Sequence, residues 1–333
     1  ARLEHNNPYT ERLKWRIPAS AAPIQPYWLS QPSSSLLYKI PDPLLLGLAE
    51  GPPPLRAQFR INVGGCLIEL ERAVERRFVD RVEGETTEPF SLLPAVSLRL
   101  PAPSMIFPDP KPRAVVLEVL AHRAKTEGSA RLILPEGWKS QPDQAPFSIP
   151  AAGQAAHLSF LVTPGPASGV ISAEAAVDGA TMTNSLTTVR YAHIPPQSVQ
   201  PPVRMQAVRS DVRILSRRIG YVMGAGDMVP ASLEQLGCEV TLLSPADLAS
   251  GDLSRFDAIV TGVRAWNVRP ELRVNAPRLH RYVENGGVLL VQFNTTEGGG
   301  FGAEPSSIPG LGPFPFRLSR DRVGGTARSK IAR

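Results

Sequence analysis

The sequence predicts a multidomain β plus α/β chain: two β-sandwich modules followed by an incomplete flavodoxin-like open parallel sheet. Three observations predict it. Short apolar runs in alternating register, separated by proline and glycine breaks, fill the first 194 residues. Between residues 218 and 295 the pattern changes to apolar strands alternating with helix-length segments, as in a parallel sheet with crossover helices. A chain of 333 residues is also too long for one ordinary domain, and its 35 prolines disfavour helix bundles.

The elements follow in order. Residues 1–105 form a β-rich module with strands expected at 36–40, 55–63, 66–70, 75–80 and 96–100. Leu55, Ala57, Phe59, Ile61 and Val63 alternate, and Gly64-Gly65 turns the chain into the next strand as a hairpin. Proline-rich breaks at 52–54 and 101–112 bound these pieces. Residues 106–194 suit a second β-sandwich, with strands at 114–121, 130–134, 156–162, 170–177 and 187–191. Trp138, beside the turn Pro135-Glu136-Gly137, suits either core packing or sugar stacking, and its large apolar area favours packing. Residues 195–208 are proline-laced and expected to be a stiff extended linker.

Residues 209–323 carry the α/β block. Strands are expected at 219–223, 239–243, 257–261 and 288–293, with helices at 229–236 and 277–285. A doubly wound sheet normally continues beyond four strands. Here the chain passes through Gly298-Gly299-Gly300 to residues 314–323 and a basic, low-complexity tail at 324–333. The expectation is a truncation or frame change near Val323 that removes an edge strand and its helix, and leaves an edge open to aggregation. The absence of an initiating methionine points to a fragment or a processed product.

Composition narrows the function classes. The formal charge is +6, but Arg317, Arg320, Arg322, Arg328, Lys330 and Arg333 stand against Asp321 alone in the tail. The rest of the chain is nearly neutral, so no basic stripe marks a nucleic-acid interface. No stretch approaches the length of a membrane span, and the first residues lack the pattern of a signal peptide. Cys66 and Cys238 fall in different modules, which argues against a disulfide, and two thiols alone hold no zinc.

Two stretches carry a family resemblance. Arg131-Leu-Ile-Leu-Pro-Glu-Gly-Trp138, with Phe147-Ser-Ile-Pro-Ala-Ala-Gly153 and Leu158-Ser-Phe-Leu-Val-Thr-Pro164, resembles the immunoglobulin-like accessory domain of alpha-galactosidases and other carbohydrate enzymes. Ile219-Gly-Tyr-Val-Met-Gly-Ala-Gly-Asp-Met-Val-Pro230, Asp252-Leu-Ser-Arg-Phe-Asp-Ala-Ile-Val-Thr-Gly-Val-Arg-Ala-Trp-Asn267 and Tyr282-Val-Glu-Asn-Gly-Gly287 resemble the C-terminal region of large bacterial PIG-L (LmbE-like) deacetylases. There the α/β module resembles a class I glutamine amidotransferase-like domain. The resemblance covers residues 10–323. It implies a hydrolase acting on N-acetyl sugars, a glycan or N-acetylated sugar as ligand, an upstream deacetylase domain as partner, and a secreted or periplasmic location. In that family the zinc belongs to an N-terminal domain marked by His-Pro-Asp-Asp and a later His-x-x-His, and neither occurs here. His5, His122, His157, His193 and His280 are scattered singly, so no cofactor is expected in this chain.

Chemistry in the α/β block is expected at the carboxyl ends of its strands. An amidotransferase centre needs a cysteine on a sharp turn after a strand. Cys238 instead follows the helix-ending Gly237 and enters a strand, so no catalytic residue is expected. Gly220, Gly224 and Gly226 line the first strand–helix turn. Val229 occupies the place of a third glycine, which leaves a tight structural turn as the better reading over a phosphate cradle. The candidate binding residues are Asp227 after the first strand, Arg264, Asn267 and Arg269 after the third, and Asn294 and Thr295 after the fourth. Arg264 and Arg269 suit an anion or sugar hydroxyls, or Arg264 pairs with Asp227 or a helix carboxylate. Three functions remain in view: a non-catalytic accessory region, a stand-alone carbohydrate- or small-anion-binding protein, and an amidotransferase-like hydrolase, which would require Cys238 to be exposed and of lowered pKa.

Overall fold

The structure, a computed structural model, describes residues 9–15, 24–31, 37–40, 42–82, 84–191, 193–295 and 308–314. His5, the glycine run at 298–300, nearly all of the stretch 314–323 and the tail 324–333 lie outside the described residues.

The first described strands are hairpins. The alternating run from Arg56 forms β1 (Arg56–Val63), which turns at Gly64-Gly65 into β2 (Cys66–Ala73). β3 (Glu75–Asp80) pairs with β4 (Gly84–Pro89) in the same way. Each hairpin stands as its own two-stranded sheet. This corrects the expected first sandwich: the hairpin strands carry no buried residue, and Phe59, Leu67 and Val79 lie exposed.

The main β core is built from two sheets. β5 (Val96–Arg99), β7 (Arg113–Ala121), β9 (Lys139–Gln141) and β11 (Ala155–Thr163) make one, in the order β5-β7-β11-β9. The other contains β6 (Ser104–Phe107), β8 (Thr126–Ile133), β10 (Ala145–Ile149), β12 (Gly169–Val177), β13 (Ala180–Met182) and, from farther along the chain, Arg204–Arg209. Alternation dictates the packing. Val115, Leu117 and Val119 from β7 face Ile171, Ala173 and Ala175 from β12 across one buried cluster. Each fully buried aliphatic side chain of this kind contributes about 1.5–3 kcal/mol.

Trp138 belongs to that core. It is 6% exposed, its indole N–H donates to the Ala167 carbonyl at 2.9 Å, and its ring meets Phe107 edge-on at 4.8 Å.

Two further elements differ from expectation. β5, expected with the hairpins, pairs instead with β7, its neighbour in the same sheet, which lies beyond the proline break at 101–112. The stretch 195–208, expected to be a linker, is largely strand. β14 (Thr187–Tyr191) pairs with β15 (Ile194–Val199), and β16 (Arg204–Arg209) joins the sandwich between β12 and β6. The prolines tolerate this because β15 pairs on one side only.

The α/β block follows in regular alternation: β17 (Arg218–Val222), α1 (Val229–Leu236), β18 (Glu239–Leu242), α2 (Pro245–Ser250), β19 (Ala258–Thr261), α3 (Ala265–Val268), α4 (Pro270–Val274), α5 (Ala276–Glu284) and β20 (Val288–Val291). All strand pairs are parallel, in the order β18-β17-β19-β20. Gly237 in left-handed conformation ends α1, and a reciprocal Ser244–Asp247 capping box starts α2.

One face of the sheet is covered by α2 to α5 through Leu248, Trp266, Leu272 and Leu279. Among the described helices only α1 covers the other, over Ile219, Tyr221, Ala258 and Val260. Val288 and Leu290, in register with Ala258 and Val260, remain half exposed on that second face.

The two cores meet at α1 and β6. The Gln235 side-chain oxygen accepts from the Ile106 backbone N–H at 2.9 Å. Arg113 donates to the Gln235 carbonyl at 2.5 Å and to the Ile106 carbonyl at 3.2 Å. Among the described residues no helix is long and apolar enough to cross a membrane.

Candidate functional site

The carboxyl ends of β17, β19 and β20 bring the expected residues to one edge, where most of them bond to neighbouring protein groups. Asp227 accepts from the Tyr221 hydroxyl at 2.7 and 2.9 Å and from the backbone N–H groups of Val229 at 3.0 Å and Val263 at 3.3 Å. Gln292 at the end of β20 donates to the same hydroxyl at 2.9 Å. Tyr221 is fully buried, and burial, with the Asp227 carboxylate beside it, pushes its phenol far above the usual range. It is therefore a neutral donor that holds Asp227 against the sheet. Neither Tyr221 nor Gln292 was expected from the sequence. Tyr221 reads there as one more apolar strand residue.

Two glycines allow this closeness. A Cβ at Gly262 would stand 2.8 Å from Asp227 Oδ2 and 2.9 Å from the Tyr221 hydroxyl. A Cβ at Gly224 would collide with the Val263 carbonyl, which also accepts from the Ala225 N–H at 2.9 Å. The glycine turn after β17 thus packs on the turn after β19, and its Ala225 amide is taken by protein.

The third strand end has the form of an elbow. β19 ends at Thr261, and Arg264 adopts φ 58° and ψ 20° before α3 begins. Its backbone N–H donates to the Phe293 carbonyl at 2.7 Å, tying the elbow to the end of β20. A strand–tight turn–helix of this shape presents its corner side chain outward, the position a nucleophile takes in hydrolases that use such a turn. Here that side chain is the exposed arginine, and among the described residues no carboxylate pairs with it. The expected pairing of Arg264 with Asp227 does not form.

The remaining candidates are also held by protein groups. Asn267 and Thr295 exchange two hydrogen bonds, both 2.9 Å. Asn294 is buried, accepts from the Trp266 N–H at 3.1 Å and donates to the Gln292 carbonyl at 2.8 Å. Arg269 donates to Glu271 at 2.6 Å. Trp266, fully buried, donates from its indole to Thr261 at 3.3 Å.

The thiols offer no substitute nucleophile. Cys238 stands before β18, its sulfur 3.6 Å from the Ser216 carbonyl, and burial pushes its thiol up, opposite to what a reactive thiolate needs. Cys66 is exposed at the β1–β2 turn. Among the described residues no group of three or more His, Cys, Asp or Glu side chains could hold a metal ion.

At the opposite, amino edge of the sheet a cavity of about 410 Å³ is lined by Arg218, Asp257, Arg278 and Tyr282 among others. Arg218, Asp257 and Arg278 are engaged with protein groups. Asp257 receives the Arg218 guanidinium at 2.7 Å and the backbone N–H groups of Arg217 and Arg218, each at 2.9 Å. Arg278 caps the end of α2 through the Leu248 and Gly251 carbonyls.

No family model matches the chain, and no curated protein matches it. Among solved structures it is similar to WR4, a C. elegans MSP family member, at 10% identity over 35% of this chain and 98% of that one, with a TM-score of 0.20. It is also similar to the seventh ScaB type I cohesin from Pseudobacteroides cellulosolvens, at 9% identity over 36% of this chain and 96% of that one, with a TM-score of 0.20. At these scores neither similarity carries an argument about function.

Proposed function

We propose that this chain is a non-catalytic accessory region of a PIG-L-type zinc-dependent de-N-acetylase, with a part in positioning glycan or N-acetylated sugar substrates for a catalytic domain that the chain does not contain. The observation that carries this reading is the internal pairing at the carboxyl edge. Asp227, Asn267, Asn294 and Thr295 bond to protein partners, and the elbow that could present a nucleophile presents Arg264. The strand order among the described residues is that of the first four strands of a flavodoxin-like sheet, which supports an amidotransferase-like module. The motif resemblances described above support the family.

The test is an acetate-release assay on the purified chain with N-acetylglucosamine and zinc. The expected outcome is no release above background. Release that a chelator leaves unchanged would refute the proposal, since it would place a metal-independent hydrolase in this chain.

The exposed Arg264 side chain favours a second reading, a stand-alone protein that binds a small anion or a carbohydrate at the carboxyl edge. Under it, Arg264→Ala abolishes retention on a glycan or anion array. Under the accessory reading the array profile of the variant is that of the parent chain.

A further inference from the structure

A cavity of about 640 Å³ lies away from the sheet edges, between the segment carrying Tyr27, the β2–β3 junction and β15. We propose that it binds a sugar-sized ligand that donates hydrogen bonds through hydroxyl or ammonium groups. The inference stands without the reading above, because the cavity shares no residue with the α/β block.

Gln200 on the cavity wall is the first support. It is 1% exposed, and its backbone N–H donates to the Gln25 side-chain oxygen at 3.1 Å. Its side-chain nitrogen donates to the carbonyls of Ile24 at 3.1 Å and Leu92 at 3.3 Å, which sets the orientation of the amide. The side-chain oxygen is then left buried without a hydrogen-bond partner. Buried amide oxygens are seldom left so, and a ligand donor is one way to satisfy such a group.

The chemistry of the wall agrees. Its charged residues among those described are Glu50 and Glu75, both acceptors, and among the described residues no lysine, arginine or histidine lines it. Such a wall selects donors and repels phosphate and carboxylate. Tyr27 gives its hydroxyl to the Leu48 carbonyl at 2.9 Å, so what it offers a ligand is its ring. With Phe90 and the proline-rich remainder it makes a stiff apolar surface suited to the C–H faces of a sugar. The volume falls within the range of small-molecule sites, roughly 300–1,000 Å³.

Titration calorimetry and saturation-transfer NMR on the full chain test this with N-acetylglucosamine, glucosamine and inorganic phosphate. The expected result is saturable binding of at least one sugar and none of phosphate. Gln200→Met removes the acceptor and should weaken binding about tenfold. Because that change also removes two internal hydrogen bonds, Ala73→Trp is the second variant. Ala73 is exposed at the end of β2, so a tryptophan there fills the cavity without entering the Gln200 network. It should weaken binding by at least about tenfold. Equal affinity for the two sugars assigns hydroxyl donors, and a preference for glucosamine assigns its ammonium group to Glu50 and Glu75. Failure of both sugars to bind, binding of phosphate, or an affinity unchanged by Ala73→Trp would each overturn the proposal. None of these outcomes bears on acetate release.

Discussion

At the residue scale, the carboxyl edge shows how a cluster that looks like a binding site becomes a structural knot. Asp227 is an acceptor for one hydroxyl and two backbone amides, and Tyr221 supplies the hydroxyl from a fully buried position. The knot depends on Gly262 lacking a side chain. Gly262→Ala should therefore lower stability by about 1–3 kcal/mol, the range for overpacking a filled site. A urea denaturation midpoint equal to that of the parent would contradict it. The convergence of Asp227, Arg264 and Asn294 was legible from strand topology alone. That Asp227 would face Tyr221, and not Arg264, was not, because strand alternation places Tyr221 on a face without saying that its hydroxyl overhangs the next turn. Trp138 was legible as a packing residue, since its apolar bulk decides the matter before its indole N–H finds the Ala167 carbonyl.

At the element scale, local signals worked where the partner lies nearby in sequence. The Gly64-Gly65 hairpin, the span of α1 and the four parallel strands follow from turn chemistry and apolar runs. They failed for β6 and β16, whose partners are remote or whose neighbouring prolines mimic a linker, and they found β5 as a strand but not its partner. The short helices α2 to α4 escaped because each is six residues or fewer, too brief to show a period. The edge strand β6 shows what such elements need. Its Ile106 N–H is paired by Gln235 from α1, which keeps that group from standing open. Gln235→Ala should cost about 1 kcal/mol and quicken hydrogen exchange at the Ile106 amide. Undiminished protection there would show that another group satisfies it.

At the scale of the whole molecule, acid should act on the two cores in sequence. His122 lies against the sandwich, its Nε2 3.0 Å from Ser97 Oγ, and burial holds its pKa below the usual histidine range. The unfolded chain therefore takes up this proton first, and stability falls as pH drops below about 6.5. In the α/β block, hydrogen bonds from Ser244 to Asp247, from Ser254 to Asp252 and from Arg218 to Asp257 hold these carboxyls below the usual carboxylate range. Their stabilisation is complete above about pH 4 and is lost only as pH falls further, through their lowered values. Chemical denaturation along a pH series should show two declines, and His122→Gln should remove the first while leaving the second. A single decline unaffected by that change would overturn the assignment. The α1–β6 contact has its own consequence at this scale. Arg113 and Gln235 join the sandwich to the sheet by directional bonds at one helix end. Tension drawn along the chain between the two cores would have to break these bonds before the cores part, so the joint would act as a latch, with helix α1 as its bolt.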